Sequence, residues 1–229
     1  MNKNYQVDYL DNEKYNNEME RYKFKREFEF VTKNKIVNFS KVLDIAGGSG
    51  RLALPLSKFS TDITITDVSE NAIRRLREKN SKIKAIHSDF TSAQITSKFS
   101  LVICIESISC FEDLNMFFSK VKSLMKNDGI FIFSCVNPKS WRYTLREIRH
   151  PRNEKKTCAE FTLNELNIIL KTQNLEIIQI EGMNWIPLSM KSNSIFVRLF
   201  DLVEKIFFLN KWISQSPWLL ISVKKSSQS

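Results

Sequence analysis

Residues 42–52 read VLDIAGGSGRL, and the rest of the chain is organised around this stretch. A short apolar run ends at Asp44, passes through a cluster of small residues, and opens into an apolar pattern at Leu52, Leu54 and Leu56. This order is typical of a β-strand, a tight glycine turn and the start of a helix. Glycines allow positive φ angles and the close approach of a ligand, and the free N–H groups of the next helix favour an anionic ligand group.

Two interpretations of this stretch compete. Residues 48–53, GSGRLA, fit the G-x-G-x-x-G/A fingerprint of dinucleotide-binding proteins, which predicts NAD or FAD. The wider stretch from Asp44 resembles motif I of the class I S-adenosylmethionine (SAM)-dependent methyltransferases, with Ala46 where that family has its first glycine. The resemblance implies that the acid ends strand 1 and that the loop lies against the methionine part of SAM. The residues implied in this contact are Asp44, Ala46, Gly47, Gly48 and Gly50.

Two segments downstream carry the resemblance further. Residues 62–67, DITITD, end at Asp67, whose carboxylate can accept two ribose hydrogen bonds in either class of cofactor. By resemblance, Val68 then lies near the adenine. Residues 83–90 end in Asp89 and Phe90, as in the family segment whose acid faces the adenine amino group and whose neighbour packs on the ring.

The fourth and fifth matches are Glu106, at the motif IV position after an apolar strand, and residues 124–133, which resemble the turn and fifth strand of the same family. Five matches in the family's order favour a SAM-dependent methyltransferase over a nicotinamide enzyme. The implied cofactor is SAM.

The predicted fold is α/β: a Rossmann-like, doubly wound, seven-stranded sheet, mostly parallel with an antiparallel last strand and helices on both faces. Strands are predicted at 41–45, 62–66, 83–86, 99–105, 130–136, 175–180 and 218–223, and helices at about 15–38, 50–59, 69–79, 112–126, 141–148 and 195–209. Ligands bind outside the carboxyl ends of such strands, where the acids at positions 44, 67, 89 and 106 are expected to meet.

We expect a single methyltransferase domain over residues 1–229. Its predicted parts are an N-terminal helical cap (1–40), a SAM-binding core (41–137), a basic excursion (138–160), and a C-terminal part of the sheet (161–229) with a helical insertion at about 183–216. For the apolar side chains of this insertion, core packing is favoured over a hydrophobic acceptor pocket, a dimer interface or peripheral contact with a membrane.

Composition narrows the functional class. The chain has a formal net charge of +10. Its share of hydrophobic residues, 42%, is ordinary for a globular protein. It has no signal-peptide pattern, no apolar run long enough to span a membrane and no metal-ligand spacing among its cysteines, so we expect a cytoplasmic protein without a metal. Residues 139–156 carry seven Lys and Arg against two Glu, which suits either an anionic substrate or a solvated surface.

The acceptor is expected to be a small molecule, modified on an O or N atom. A sugar, a secondary metabolite or another anionic or lipid-linked compound would fit. Residues 106–109, ESIS, differ from the Asn/Asp-Pro-Pro-Tyr/Phe motif of nucleic-acid amine methyltransferases, so nucleic acid is disfavoured. The oligomeric state is left open between monomer and homodimer. The alternatives are an NAD(P)-dependent oxidoreductase and a SAM-binding module without turnover.

No catalytic residue is assigned. Glu106 and His150 are the candidates for a general base, and only some acceptors need one. Candidates for the acceptor pocket lie in the predicted N-terminal helix and in the basic segment: Tyr15, Tyr22, Arg26, Trp141 and Arg146.

Overall fold

The computed structural model describes residues 16–33, 37–149, 160–189 and 192–226, with residues 146–149 described by their backbone. Within this part of the chain seven strands form one sheet. They are β1 (Val42–Ile45), β2 (Ile63–Asp67), β3 (Lys84–His87), β4 (Phe99–Cys104), β5 (Met125–Val136), β6 (Leu175–Met183) and β7 (Trp218–Lys225).

The strand order in the sheet is β3-β2-β1-β4-β5-β7-β6. Strands β1 to β5 pair in parallel, whereas β7 runs antiparallel to both of its neighbours, β5 and β6. The predicted fold class is therefore confirmed, including the antiparallel last strand. The carboxyl ends of β1, β2, β3 and β4 lie along one edge of the sheet, which we call the carboxyl edge.

The helices are α1 (Glu18–Thr32), α2 (Ala53–Leu56), α3 (Glu70–Lys79), α4 (Leu114–Leu124), α5 (Trp141–Arg149), α6 (Leu163–Thr172) and α7 (Phe196–Ile206). Side-chain caps begin α3, α4 and α6: the side chains of Ser69, Asp113 and Thr162 each accept a backbone N–H of the first turn. Thr162 and Glu165 form a capping box at the start of α6.

The helix predicted at 50–59 is much shorter than expected. Gly50 has φ +91°, so the turn is not helical there, and the four-residue α2 begins without a side-chain cap. The loop after β1 therefore runs further than its apolar pattern indicates.

Helices cover both faces of the sheet, because successive residues of a buried strand point to opposite sides. Leu43 and Ile45 belong to a core that includes side chains of α4 and α6, whereas Val42 belongs to a second core with side chains of α1, α2 and α3. The sheet edge that carries the strand-end acids is left between these layers.

The insertion between β6 and β7 does not match its expected packing. The expectation that its apolar side chains form core is wrong for Phe196, Phe207, Phe208 and Trp212, which are 58–67% exposed. In α7 the buried side chains are Val197, Asp201 and Glu204, because this helix packs its polar side against α1.

Candidate functional site

The loop that follows β1 takes an unusual backbone path. Ala46, Gly48 and Gly50 have φ angles of 54°, 57° and 91°, in the left-handed region that favours glycine. Ala46 is thus in a conformation that suits glycine, at the position where motif I of the resembling family has one. Hydrogen bonds from Gly50 N–H to Gly47 O (3.0 Å) and from Gly47 N–H to Thr66 O (3.3 Å) hold the turn between β1 and β2.

A side chain is disfavoured at the three glycines of this loop for different structural reasons. A Cβ on Gly47 would lie 2.6 Å from the carboxyl carbon of Asp44, and one on Gly50 would lie 2.8 Å from Leu76 Cδ1. A Cβ on Gly48 would meet nothing within 4 Å. The loop therefore presents open space at Gly48 and is closed against its own protein at the other two positions.

Asp44 lies beneath this loop as a buried acid. Its side chain is 2% exposed, and Oδ2 has no hydrogen-bond partner among the described residues. Burial raises the pKa of Asp44 to about 7, with the charge of Arg51 opposing the shift and that of Asp67 adding to it. An orphaned carboxyl oxygen at this position is suited to a donor or a cation supplied by a ligand.

Asp67, at the end of β2, is held by backbone hydrogen bonds. Its Oδ2 accepts Gly48 N–H and its Oδ1 accepts Ser69 N–H, both at 2.8 Å. A carboxylate at the end of this strand can accept hydrogen bonds from hydroxyl groups. The next residue, Val68, is half-buried and follows directly on the acid that is hydrogen-bonded to the glycine loop.

The third strand end is less open than expected. Asp89 is half-buried, and its Oδ1 accepts hydrogen bonds from Thr91 N–H (2.8 Å) and Thr91 Oγ1 (2.7 Å). Phe90 is 2% exposed and packs edge-on against Phe111 and Phe117 in the core. The contact of Phe90 with an adenine ring stays a prediction, and its observed contacts are those of a core side chain.

A cluster of five charged side chains joins α1 to the carboxyl edge. Lys23 Nζ lies 2.6 Å from Glu106 Oε1 and 2.9 Å from Glu20 Oε1, and Arg51 lies 2.7 Å from Glu27 Oε2. Lys23 is 4% exposed and Glu27 is fully buried. These ion pairs fix the N-terminal helix over the glycine loop and over the end of β4.

The cluster sets the protonation of its members. Burial by itself would raise the pKa of Glu106, but the charges of Lys23 and Arg51 outweigh it and hold that pKa below its ordinary value. For Glu27 burial dominates and raises the pKa, although Arg51 opposes it. Glu106 therefore ionises at a lower pH than Glu27, and its backbone at φ 61° is also left-handed.

The structure describes three of the predicted acceptor-pocket residues, and their pocket role stays a prediction. Tyr22 is buried, donates to Glu204 Oε2 at 2.5 Å and accepts Asn184 N–H at 2.9 Å, so its hydroxyl is occupied within the protein. Arg26 lines a cavity of ≈ 330 Å³ against β6 and α7 that includes none of the strand-end acids. Trp141 begins α5, shortly after β5, and its buried indole N–H has no described partner.

Three candidates are left unplaced. Tyr15, His150 and the side chain of Arg146 lie outside the described residues. Sequence reasoning missed Lys23, Glu27 and Arg51, although Lys23 and Glu27 share one face of the predicted helix by their spacing of four. Their partners could not be found by spacing, because Arg51 and Glu106 come from distant parts of the chain.

Comparisons with known proteins agree with this geometry. Residues 15–180 match the family model described as a methyltransferase domain. The ubiquinone biosynthesis O-methyltransferase of Rickettsia akari (strain Hartford) is 24% identical over 165 residues, covering 67% of this chain and 66% of that protein. The enzyme of the same name from Bartonella bacilliformis is 23% identical over 163 residues, covering 65% of each chain. The matches thus span slightly less than two thirds of these relatives.

Solved structures share the fold. A SAM-dependent methyltransferase from Clostridium acetobutylicum superposes with a TM-score of 0.63 at 16% identity, covering 89% of this chain and 92% of that chain. Magnesium protoporphyrin IX methyltransferase from Synechocystis PCC 6803, with bound SAH, gives a TM-score of 0.64 at 15% identity, with coverage of 91% and 84%. The chain therefore belongs to the methyltransferase-domain family, as an S-adenosylmethionine-dependent enzyme of the class I fold.

Proposed function

We propose that this enzyme transfers the methyl group of SAM to a hydroxyl oxygen of a small molecule, and that this oxygen belongs to a readily ionised, phenol-like hydroxyl. The observation that carries the proposal is the carboxyl edge itself. The glycine loop with open space at Gly48 lies there together with the buried carboxyl of Asp44 and the carboxylate of Asp67. Glu106 lies beside them, and its negative charge is balanced by Lys23.

The residues at this edge fit SAM. Asp67 would accept the ribose hydroxyls from its position at the end of β2, where Gly48 N–H and Ser69 N–H hold its carboxylate beside the glycine loop. Gly48 offers the open space that a cofactor needs against the loop. Asp44 Oδ2 would accept a hydrogen bond from the ammonium group of the methionine part of SAM. This bond would supply the partner that Asp44 Oδ2 lacks among the described residues. Val68 and Asp89 would border the adenine.

Bound SAM supplies an electrophilic methyl group, and the chain's own residues have to align an acceptor with it. In the transfer the O–CH₃ bond forms as the S–CH₃ bond breaks, and the hydroxyl proton leaves to solvent or to a base. Trp141, whose indole N–H has no partner among the described residues, is the proposed residue that orients the acceptor from α5.

The acceptor class is argued from the bases that the described residues place at the carboxyl edge. Lys23 and Arg51 lower the pKa of Glu106, so this carboxylate is a poor proton acceptor. His87 lies at the exposed end of β3 with Nε2 3.0 Å from Val68 O. An aliphatic alcohol would need a stronger base, whereas a phenol has a pKa of about 10 and loses its proton more easily.

The relatives support the same reaction. Two of them are named ubiquinone biosynthesis O-methyltransferases, which favours an oxygen acceptor over a nitrogen acceptor. We propose an acceptor of that kind here, a hydroxylated ring with or without an apolar tail. Membership of the methyltransferase family counts against the nicotinamide alternative, and turnover would exclude a binding module without catalysis.

The test is a turnover assay with SAM on three matched acceptor sets: hydroxylated benzenes with and without an alkyl chain, sugars, and aromatic amines. We expect S-adenosylhomocysteine release with the hydroxylated benzenes and a product that carries one added methyl group on oxygen. Methylation of amines or sugars alone would overturn the acceptor class while leaving the cofactor site standing.

The cofactor site is tested separately by Asp67→Ala. Loss of charge-assisted hydrogen bonds to the ribose should weaken S-adenosylhomocysteine binding by about 1.5–3 kcal/mol, measured by calorimetry. The matched control is Asp62→Ala, which removes an exposed acid just before the other end of the same strand. Equal affinities for the two variants would show that Asp67 does not contact the cofactor.

A further inference from the structure

Helix α7 presents its apolar side to solvent. Its inward side chains include Asp201 and Glu204, which are 9% and 2% exposed, whereas Leu199 and Leu202 are each 53% exposed. A surface helix of a globular protein ordinarily shows the opposite arrangement. The contacts that hold α7 in this orientation, and the surface that results from it, therefore have to be identified.

The cause is a set of polar contacts with α1 and with the chain after β6. Glu204 accepts hydrogen bonds from Tyr22 Oη (2.5 Å) and from Trp185 N–H (2.7 Å), and Lys25 pairs with Asp201 at 2.6 Å. The contact between Tyr22 and Glu204 is buried and the other two are partly buried, and rotating the helix would leave two buried acids without these partners, at high cost. The apolar side is thus held outward by the fold.

The outward residues form one contiguous surface, which we call the apolar face. It comprises eight of the twelve exposed large apolar side chains among the described residues: Ile195, Phe196, Leu199, Leu202, Ile206, Phe207, Phe208 and Trp212. Positions 195, 199, 202 and 206 follow helical spacing on one stripe, and the other members flank it or continue into the next turn. Such concentration marks an interaction surface rather than scattered exposure.

Beside the apolar face the basic side chains are exposed to solvent, whereas the acidic side chains that pair with them are largely buried. The side chains of Arg198, Lys25 and Lys205 are 72%, 48% and 41% exposed, whereas their acidic partners Glu18 and Asp201 are 16% and 12% exposed. Lys211 adds a cation 5.2 Å from the ring centre of Phe208. A second copy of the chain would place like charges against each other here, which disfavours a symmetric dimer.

We propose that the apolar face docks this enzyme onto an anionic lipid surface. Exposed aromatic and aliphatic side chains beside cations are the composition of helices that lie in the membrane interface. Eleven residues make a helix of about 16 Å, far short of a bilayer's hydrocarbon core. In the described part of the chain, moreover, every helix is too short or too polar to cross a membrane. The helix therefore lies in the plane of the surface, and the docking is independent of the acceptor proposed above.

The test is sedimentation of the full chain with vesicles of phosphatidylcholine, with and without phosphatidylglycerol. We expect partition onto the anionic vesicles that falls as salt rises. The double change Leu199→Asp and Leu202→Asp should weaken partition by at least about tenfold, because two large apolar side chains no longer enter the interface. Lys205→Glu with Lys211→Glu should weaken it by about fivefold for each charge.

Ile168→Asp is the matched control, since Ile168 is 63% exposed on α6, outside the apolar face. S-adenosylhomocysteine-induced thermal stabilisation checks that each variant is folded. The proposal is overturned if the chain does not bind anionic vesicles, or if Ile168→Asp weakens partition as much as the double change at Leu199 and Leu202. A dimer that Leu199→Asp dissociates, without vesicle binding, would assign the face to a second copy and equally overturn it.

Discussion

Helices α4 and α7 have the same length and a similar share of apolar residues, yet the fold uses them in opposite ways. Helix α4 buries Phe117, Phe118, Val121 and Leu124 against the sheet, whereas the inward side of α7 contains Asp201 and Glu204. The difference arises from what each helix faces. A sheet face of Phe131 and Phe133 accepts apolar side chains, while α1 offers Met19 to Val197 but also polar and charged partners to the two acids of α7. An amphipathic pattern thus predicts that a helix has two sides, and the neighbour decides which one is buried.

The largest expected effect is in α4. Phe117→Ala should lower the free energy of unfolding by about 3–5 kcal/mol, because a fully buried ring leaves a cavity among four aromatic neighbours. Urea unfolding of the variant would measure it. The control is Met116→Ala, one position earlier and half exposed, which should cost far less. Equal costs would mean that α4 is not packed as described.

For α7 the costly change should be at a charged residue. Glu204→Ala leaves the Tyr22 hydroxyl and Trp185 N–H buried without their acceptor, at about 1–3 kcal/mol of stability. Thermal or urea unfolding would show it, with Glu176→Ala in β6 as an exposed-acid control. A neutral result would contradict the inward placement of the acidic side.

The pH dependence of stability should also distinguish α7 from α4, whose inward face has no titratable group. Burial raises the pKa of Glu204 above the ordinary 4.5, although the hydrogen bonds from Tyr22 and Trp185 oppose the shift. The folded state then holds this proton more tightly than the unfolded state, so stability falls as pH rises from about 4.5 through the folded-state pKa. Glu204→Gln should flatten that part of the stability–pH curve, and an unchanged slope would refute the assignment.

The helix N-termini provide a smaller contrast. Asp113 caps α4 by accepting Met116 N–H at 2.9 Å, whereas Ile195 precedes α7 without a side-chain cap. Asp113→Ala should cost about 1 kcal/mol in urea unfolding. Asp128→Ala in β5, an exposed acid without a capping role, serves as the reference. Similar costs for both would show that the cap contributes nothing.

The smallest effect should come from the apolar face. Leu199→Ala should change stability by less than about 0.5 kcal/mol, since the side chain is half exposed in the isolated chain. Urea unfolding in the absence of lipid would check this. A cost of several kcal/mol would mean that the face is covered within the protein, and the contrast with α4 would disappear.

The carboxyl edge shows where sequence reasoning succeeds and where it stops. Asp44, Asp67 and Glu106 were predicted at strand ends because a parallel sheet with short loops leaves little choice of position. The ion pair of Arg51 with Glu27 was not predicted, because it joins residues that only the packing of α1 over the loop brings together. Tyr22 was expected in an acceptor pocket, but its hydroxyl is used by Glu204 and Asn184.

The sequence by itself determined the order of strands and helices, the glycine turn after β1 and the acids that follow the strands. These features depend on local periodicity, backbone freedom and spacing along the chain. Only the tertiary structure decided which side of α7 is buried, how α1 compensates the charge of Glu106, and that Phe90 belongs to the core. Those outcomes depend on partners distant in sequence, because burial and pKa are set by neighbouring side chains that spacing cannot identify.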